Sequence, residues 1–182
     1  VLKDFLLKFL VMLVTRFCYR LRVRGLPHLP THGPALLVSN HVSLMDAVFI
    51  VSSQQRRVRM LMSRQFYEEA GWLTRRIVDQ AKVILIHGED NPKKLVQSLR
   101  AARAALDEGH LVGIFAEGGL TQDGRMQAFK PGFERIVRNS SYPIIPIRID
   151  GAWDSVASHR DGPPRIAPLR DFRRRIQVSF GA

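Results

Sequence analysis

A histidine and an aspartate stand five positions apart in the stretch Ser39-Asn40-His41-Val42-Ser43-Leu44-Met45-Asp46, and this is the first place in the chain whose residue types and spacing suit proton transfer. A carboxylate on one imidazole nitrogen fixes the tautomer and stabilises the imidazolium that forms when the other nitrogen takes a proton. The same spacing also occurs in surface pairs and helix caps, so the flanking residues have to decide. Ahead of it, Ala35-Leu36-Leu37-Val38 is short, apolar and preceded by Gly33-Pro34, which predicts a buried strand. Behind it, Ser43 followed three residues later by Asp46 predicts a capping box that opens a helix. His41 is thereby expected in a strand-to-helix turn. Open α/β sheets bind ligands beside such turns, and the start of the following helix favours negative charge.

A second stretch repeats this plan. Leu111 to Phe115 reads as a buried strand and runs into Ala116-Glu117-Gly118-Gly119, then a polar loop to Gly132. Glycines let backbone amides approach an anion closely, and Arg125 and Lys130 lie nearby in sequence, so the loop can hold a phosphate. An ordinary glycine-rich surface loop has the same composition.

The elements that must position these residues alternate. Tyr19 to Arg24 alternates apolar and basic residues, as a half-buried strand does, and Gly25 ends it. Further strands are expected at Arg57 to Met62, Lys82 to Ile86, Ile144 to Ile149 and Arg175 to Phe180. Between them, Gln65 to Asp79 predicts one or two short helices broken at Gly71, and Gly132 to Asn139 another. The plainest helix opens at Asn91-Pro92, a capping residue followed by proline at the first helical position, and stops at Gly109. Leu95, Leu99, Ala102 and Leu106 line one of its faces. Alternation of this kind predicts a single α/β domain, with a mostly parallel central sheet covered by helices.

The chain has 182 residues, a size that buries a sizeable core without disulfides or metal. Cys18 is its one cysteine, which excludes a disulfide framework and a cysteine-based zinc site and suits a reducing compartment. A net charge of +12 implies an anionic partner: nucleic acid, a lipid surface or a phosphorylated substrate. Nucleic acid is the poorest of these, because the basic residues are scattered, aromatics are only 8% and no recognition motif interleaves the two. The chain starts with Val and ends directly after a strand-like run, as a piece of a longer polypeptide would, so fusion to further domains is expected.

Residues 1–18 are rich in large apolar side chains, but Lys3, Asp4, Lys8 and Arg16 interrupt the roughly 20 apolar residues that a membrane span needs. No small-residue cleavage site marks a signal peptide. The segment reads as an amphipathic helix in the membrane interface with its basic residues at the headgroups, or as a core helix packed on the sheet. Residues 19–182 form the domain itself.

Taken together, Asn40-His41-Val42-Ser43-Leu44-Met45-Asp46 and Phe115-Ala116-Glu117-Gly118-Gly119 resemble the glycerolipid acyltransferase family, which includes 1-acylglycerol-3-phosphate acyltransferases. The family carries His, four residues, then Asp, later a Phe-Pro-Glu-Gly-Thr-Arg-like block, and then an apolar-Pro-apolar segment matched here by Ile144-Ile145-Pro146-Ile147. Arg64 stands where a basic residue follows the second strand. The resemblance runs from about Tyr19 to Phe180. It departs at Ala116 and Gly119-Leu120, where the family has Pro and Thr-Arg, and at His87, where many relatives have arginine. This form looks more like acyltransferase domains of larger fusion proteins.

What the resemblance implies is transfer of a fatty acyl group from a thioester, acyl-CoA or acyl carrier protein, to a free hydroxyl of a lysophospholipid. His41 would be the general base and Asp46 its orienting partner. Glu117, Gly118, Gly119, Arg64 and Lys130 would bind substrate, Lys130 or Arg125 replacing the missing phosphate-binding arginine, and amides near the helix start would stabilise the oxyanion. No metal or redox cofactor is implied. The implied setting is an anionic membrane surface, at the cytoplasmic face of the inner membrane. The alternative is a non-catalytic, basic lipid-binding relative.

Overall fold

The computed structural model describes residues 2–87, 91–130, 132–167 and 169–182. Val1, which opens the expected amphipathic segment, and Pro131, within the polar loop, lie outside the described residues. In chain order the elements are α1 (Leu2–Cys18), β1 (Tyr19–Arg24), β2 (Ala35–Ser39), α2 (Asp46–Ser53), β3 (Val58–Ser63), α3 (Arg64–Glu69), α4 (Trp72–Gln80), β4 (Ile84–Ile86), α5 (Pro92–Asp107), β5 (Leu111–Phe115), α6 (Gly132–Val137), β6 (Ile144–Asp150) and β7 (Arg174–Phe180). A 3-10 turn covers Leu26–His28.

The strands form one sheet in the order β1-β7-β6-β2-β5-β3-β4. From β6 to β4 every neighbouring pair is parallel; β7 is antiparallel to β6, and β1 is parallel to β7. This is the mostly parallel α/β domain that the alternation predicts. The strand expected from Lys82 is shorter, because Lys82 takes a left-handed φ of 53° and its amide still closes the end of α4 on the Asp79 carbonyl. Extended backbone resumes only at Ile84.

β2 is buried along its whole length because it faces a core on both sides. Ala35 and Leu37 join Phe49 and Ile50 of α2 in one core, and Leu36 and Val38 join Leu99, Ala102 and Leu106 of α5 and Ile136 of α6 in the other. A strand alternates its side chains between faces, so a continuously apolar run needs cover on both. The connection after β2 therefore leaves over one face, as α2, and the connection after β5 leaves over the other, as α6. Adjacent parallel strands whose connections part in this way open a crevice at their carboxyl ends.

α1 packs on α2 as an outer layer, with Arg16 exposed as expected but Lys8 turned inward. Lys8 does not reach outward; its Nζ donates to the carbonyls of Gln55 (2.5 Å) and Arg56 (2.6 Å), beyond the end of α2. Burial, with Arg57 nearby, lowers Lys8 to about 8. Thr15 meets Ser52 of α2, whose Oγ donates to Thr15 Oγ1 at 3.1 Å. Leu6, Phe9, Leu10, Leu13, Val14 and Phe17 are exposed instead. Among the described residues, no helix is long and apolar enough to cross a membrane.

Candidate active site

Ser39 at the end of β2 lies opposite Phe115 at the end of β5. Two residues further on each strand, His41 and Glu117 face each other across the crevice although 76 positions separate them, and the His41 amide donates to Glu117 Oε1 at 2.9 Å. The second carboxylate oxygen of Glu117 accepts the Gln127 amide at 2.7 Å. Glu117 thus ties the turn after β2 to the far side of the loop after β5. Both of its oxygens are engaged by backbone amides of the chain, so Glu117 braces the two loops.

His41 is held from three directions, two of them on its ring. Asp46 Oδ2 lies 3.0 Å from His41 Nδ1 and also accepts the amides of Val42 (2.7 Å) and Ser43 (2.8 Å). The phenyl ring of Phe115 stacks on the imidazole at 3.8 Å between centroids, 9° from parallel. The Thr121 amide donates to the His41 carbonyl at 2.9 Å. Asn40, one residue earlier, continues the β6 ladder: its Nδ2 donates to the Ile149 carbonyl at 3.0 Å, and its Oδ1 accepts the Ile149 amide at 2.8 Å.

Asp46 is 0% exposed, and its Oδ1 has no hydrogen-bond partner among the described residues. Burial pushes its carboxyl above the usual carboxylate range, against the pull of His41 and of the Ser43 and Val42 amides. A buried carboxylate short of positive charge gains when its neighbour becomes an imidazolium. A cation against an aromatic face gains as well, so Phe115 acts in the same direction. The His41 side chain remains partly exposed at 19% beside this buried carboxyl.

The expected capping box forms only in half. Asp46 reaches back to the Ser43 amide, but Ser43 Oγ accepts from Met45 (3.2 Å), and α2 begins only at Asp46. The amides that lead up to the helix start are engaged within the turn. His41 donates to Glu117, Val42 and Ser43 to Asp46, Leu44 to the Ala157 carbonyl, Met45 to Ser43 Oγ and Asp46 to the Ser43 carbonyl.

Gly118 has a left-handed φ of 74°, and a Cβ placed on it would lie 2.7 Å from Lys130 Cδ. The side chain of Lys130 therefore lies over Gly118, and its amide donates to the Ala116 carbonyl at 2.8 Å. Gly119 opens onto free space. Arg125 is exposed on the outer loop, where its carbonyl accepts from Thr121 Oγ1 at 2.7 Å. Arg64 stands apart, at the top of β3 with β5 between it and β2, and its Nε donates to Glu68 Oε1 at 2.7 Å. His87 follows β4 and meets Ser98 at 3.4 Å. The structure thus gathers His41, Asp46, Glu117, Gly118 and Lys130, and leaves Arg64 on a neighbouring rim. Sequence reasoning gave no role to Asn40, Phe115, Thr121 or Gln127. The signal for Phe115 is its register opposite Ser39, which needs the strand order to be known.

Comparison with known proteins bears on the family and the fold. The Acyltransferase family model matches residues 20–150. A chloroplastic 1-acyl-sn-glycerol-3-phosphate acyltransferase of Brassica napus is 27% identical over 149 residues, covering 79% of this chain and 41% of its own. The corresponding protein of Limnanthes douglasii is 30% identical over 156 residues (82% and 50%), and the alpha form of Homo sapiens 28% over 152 (80% and 51%). The chain spans about half the length of the curated relatives it matches. Its fold is that of the crystal structure of the 1-acyl-sn-glycerophosphate acyltransferase from Thermotoga maritima, with a TM-score of 0.70 at 18% identity over 96% of this chain and 68% of the other. This chain belongs to the Acyltransferase family.

Proposed function

We propose that this chain transfers a fatty acyl group from an acyl thioester to the free hydroxyl of a lysophospholipid such as 1-acylglycerol-3-phosphate. The observation that carries the reading is the 3.0 Å contact between His41 Nδ1 and the fully buried Asp46, at the crevice that the Glu117 loop borders. Asp46 keeps a proton on Nδ1, so Nε2 is the base. As the acceptor oxygen attacks the thioester carbonyl, Nε2 takes the hydroxyl proton. The tetrahedral intermediate then breaks its carbon–sulfur bond, and the imidazolium returns the proton to the departing thiolate. The ester and the free thiol are the products, and no acyl-enzyme is needed.

Every amide from His41 through Asp46 is already engaged, so oxyanion stabilisation comes from groups outside that turn. Lys130 over Gly118 supplies charge for the acceptor phosphate. A two-chain lipid product leaves water at once, and the exposed apolar side of α1 together with the +12 charge suits docking on an anionic membrane, at the cytoplasmic face of the inner membrane.

The test is acyl transfer from labelled acyl-CoA, and separately from acyl carrier protein, to a panel of lysophospholipids. Substitution of His41 with Ala is expected to lower the rate about a hundredfold or more. Equal transfer by the variant would remove His41 from the chemistry, and no transfer by the wild type from either donor would leave a lipid-binding relative without turnover.

A further inference from the structure

At the opposite end of α2 from His41, a cleft of about 430 Å³ opens between α1, the 3-10 turn and the residues after α2. Met12 and Arg16, four apart and so on one face of α1, line one wall. Leu26, Leu29 and His32 line another, and Gln54 a third. No carboxylate is among the lining residues. Gln54 is 2% exposed, yet neither its amide nitrogen nor its oxygen meets a hydrogen-bond partner among the described residues. Buried polar groups are almost always satisfied, and a side-chain amide with both ends open calls for a ligand that accepts at one end and donates at the other.

Arg56 shapes the cleft but is already spent. It donates to the carbonyls of Pro30 at 2.8 Å and Gly109 at 3.3 Å, and to that of Gly33. Arg16 is exposed and pairs with no carboxylate among the described residues. The cleft therefore offers one available guanidinium, one unsatisfied amide and an apolar wall. Met12, on that apolar side, belongs to the same helix whose Phe9 and Leu13 are bare.

We propose that this cleft binds the headgroup of an anionic glycerophospholipid. Its phosphodiester lies on Arg16 and Gln54 Nε2, a headgroup hydroxyl donates to Gln54 Oε1, and the acyl chains run along the apolar side of α1. The site is separate from the reaction centre. It shares α1 with the membrane-docking reading but does not rest on His41 chemistry.

Loss of Arg16 weakens attraction to any anionic surface, so it does not discriminate. Gln54→Leu does, because it leaves the charge unchanged and removes an unsatisfied polar group from the interior, keeping or raising stability. The experiment titrates the protein with dioctanoyl phosphatidylglycerol below its micelle concentration, following affinity and amide exchange. Slowed exchange is expected in residues 12–16, 26–32 and 52–56, with affinity about tenfold weaker in Gln54→Leu while its melting temperature and acyl transfer to a soluble acceptor hold. Equal affinity in the variant, or no slowing in those segments, overturns the site. Inorganic phosphate at the same concentration is expected to slow nothing there; equal protection by phosphate would make the occupant a free anion and overturn the lipid assignment.

Discussion

The turn after β2 and the turn after β5 leave neighbouring strands at the same edge of the sheet, and they are built in opposite ways. The first is short, and each of its amides from His41 to Asp46 has a partner. The second runs from Ala116 to Lys130, with most residues after Thr121 exposed, and is pinned at a few points: Glu117 to Gln127, Thr121 to Arg125 and Lys130 to Ala116. A proton-transfer group has to be held to within fractions of an ångström, which dense local bonding achieves. A loop that meets a variable headgroup needs only to be anchored. Departures from the family pattern at Ala116, Gly119 and Leu120 fall in the second loop, where altered side chains leave the dyad untouched.

The largest separation between the two loops comes from Asp46→Asn. Asp46 Oδ2 alone meets His41 Nδ1 and the Val42 and Ser43 amides, so asparagine keeps these bonds only with its oxygen in that place, and the negative charge that balances an imidazolium is then gone. Transfer is expected to fall about a thousandfold or more. Stability moves the other way. Burial raises the Asp46 carboxyl in the folded chain, so as pH rises above the ordinary value of 3.8 the unfolded chain loses its proton first and the fold loses stability until the folded carboxyl also ionises. At neutral pH the asparagine variant avoids that cost and is expected to melt at the wild-type temperature or above. A clearly lower melting temperature would show that the buried carboxylate is a net stabiliser.

Glu117→Gln tests the strap between the loops. The new NH2 group must face either the His41 amide or the Gln127 amide, leaving one donor opposed by another in a buried place, at a cost of about 1–3 kcal/mol. Activity is expected to fall about tenfold, through loosening of the His41 turn and not through loss of a reacting group. The shape of the pH–rate profile should stay as in the wild type. A changed profile would move Glu117 from positioning into the chemistry.

These bonds also mark where legibility in the sequence ended. β2 could be read because a strand covered on both faces is apolar throughout, and α5 because Asn91 caps it, its Oδ1 accepting the Lys94 amide at 3.1 Å, while Gly109 leaves it at a φ of 82°. His41 and Asp46 were visible because their partnership is local. The Phe115 stack, the Thr121 bond and the Asn40 clamp on Ile149 arise from β2 lying between β5 and β6, and no local pattern encodes that strand order. Lys8 misled for a related reason. Periodicity treats a lysine as solvent-facing, whereas the open carbonyls of Gln55 and Arg56 beyond α2 draw it inward.

The finest distinction lies inside the second loop, between adjacent glycines. Gly118→Ala forces a left-handed φ of 74° on a residue with a Cβ, and that Cβ presses on the Lys130 side chain at 2.7 Å. The side chain can swing away, so the steric part is small and the backbone part dominates, about 1 kcal/mol. The expected outcome is a modestly lower melting temperature together with a raised KM for the lysophospholipid, because the displaced lysine no longer sits over the loop. Gly119→Ala meets nothing within 4 Å, so its melting temperature should not move. If Gly119→Ala nevertheless raises the acceptor KM, the open side of Gly119 is where the acceptor lies, and the loop after β5 is the acceptor site. If neither variant changes that KM, the headgroup is held elsewhere on the rim, and Arg64 at the top of β3 becomes the residue to change.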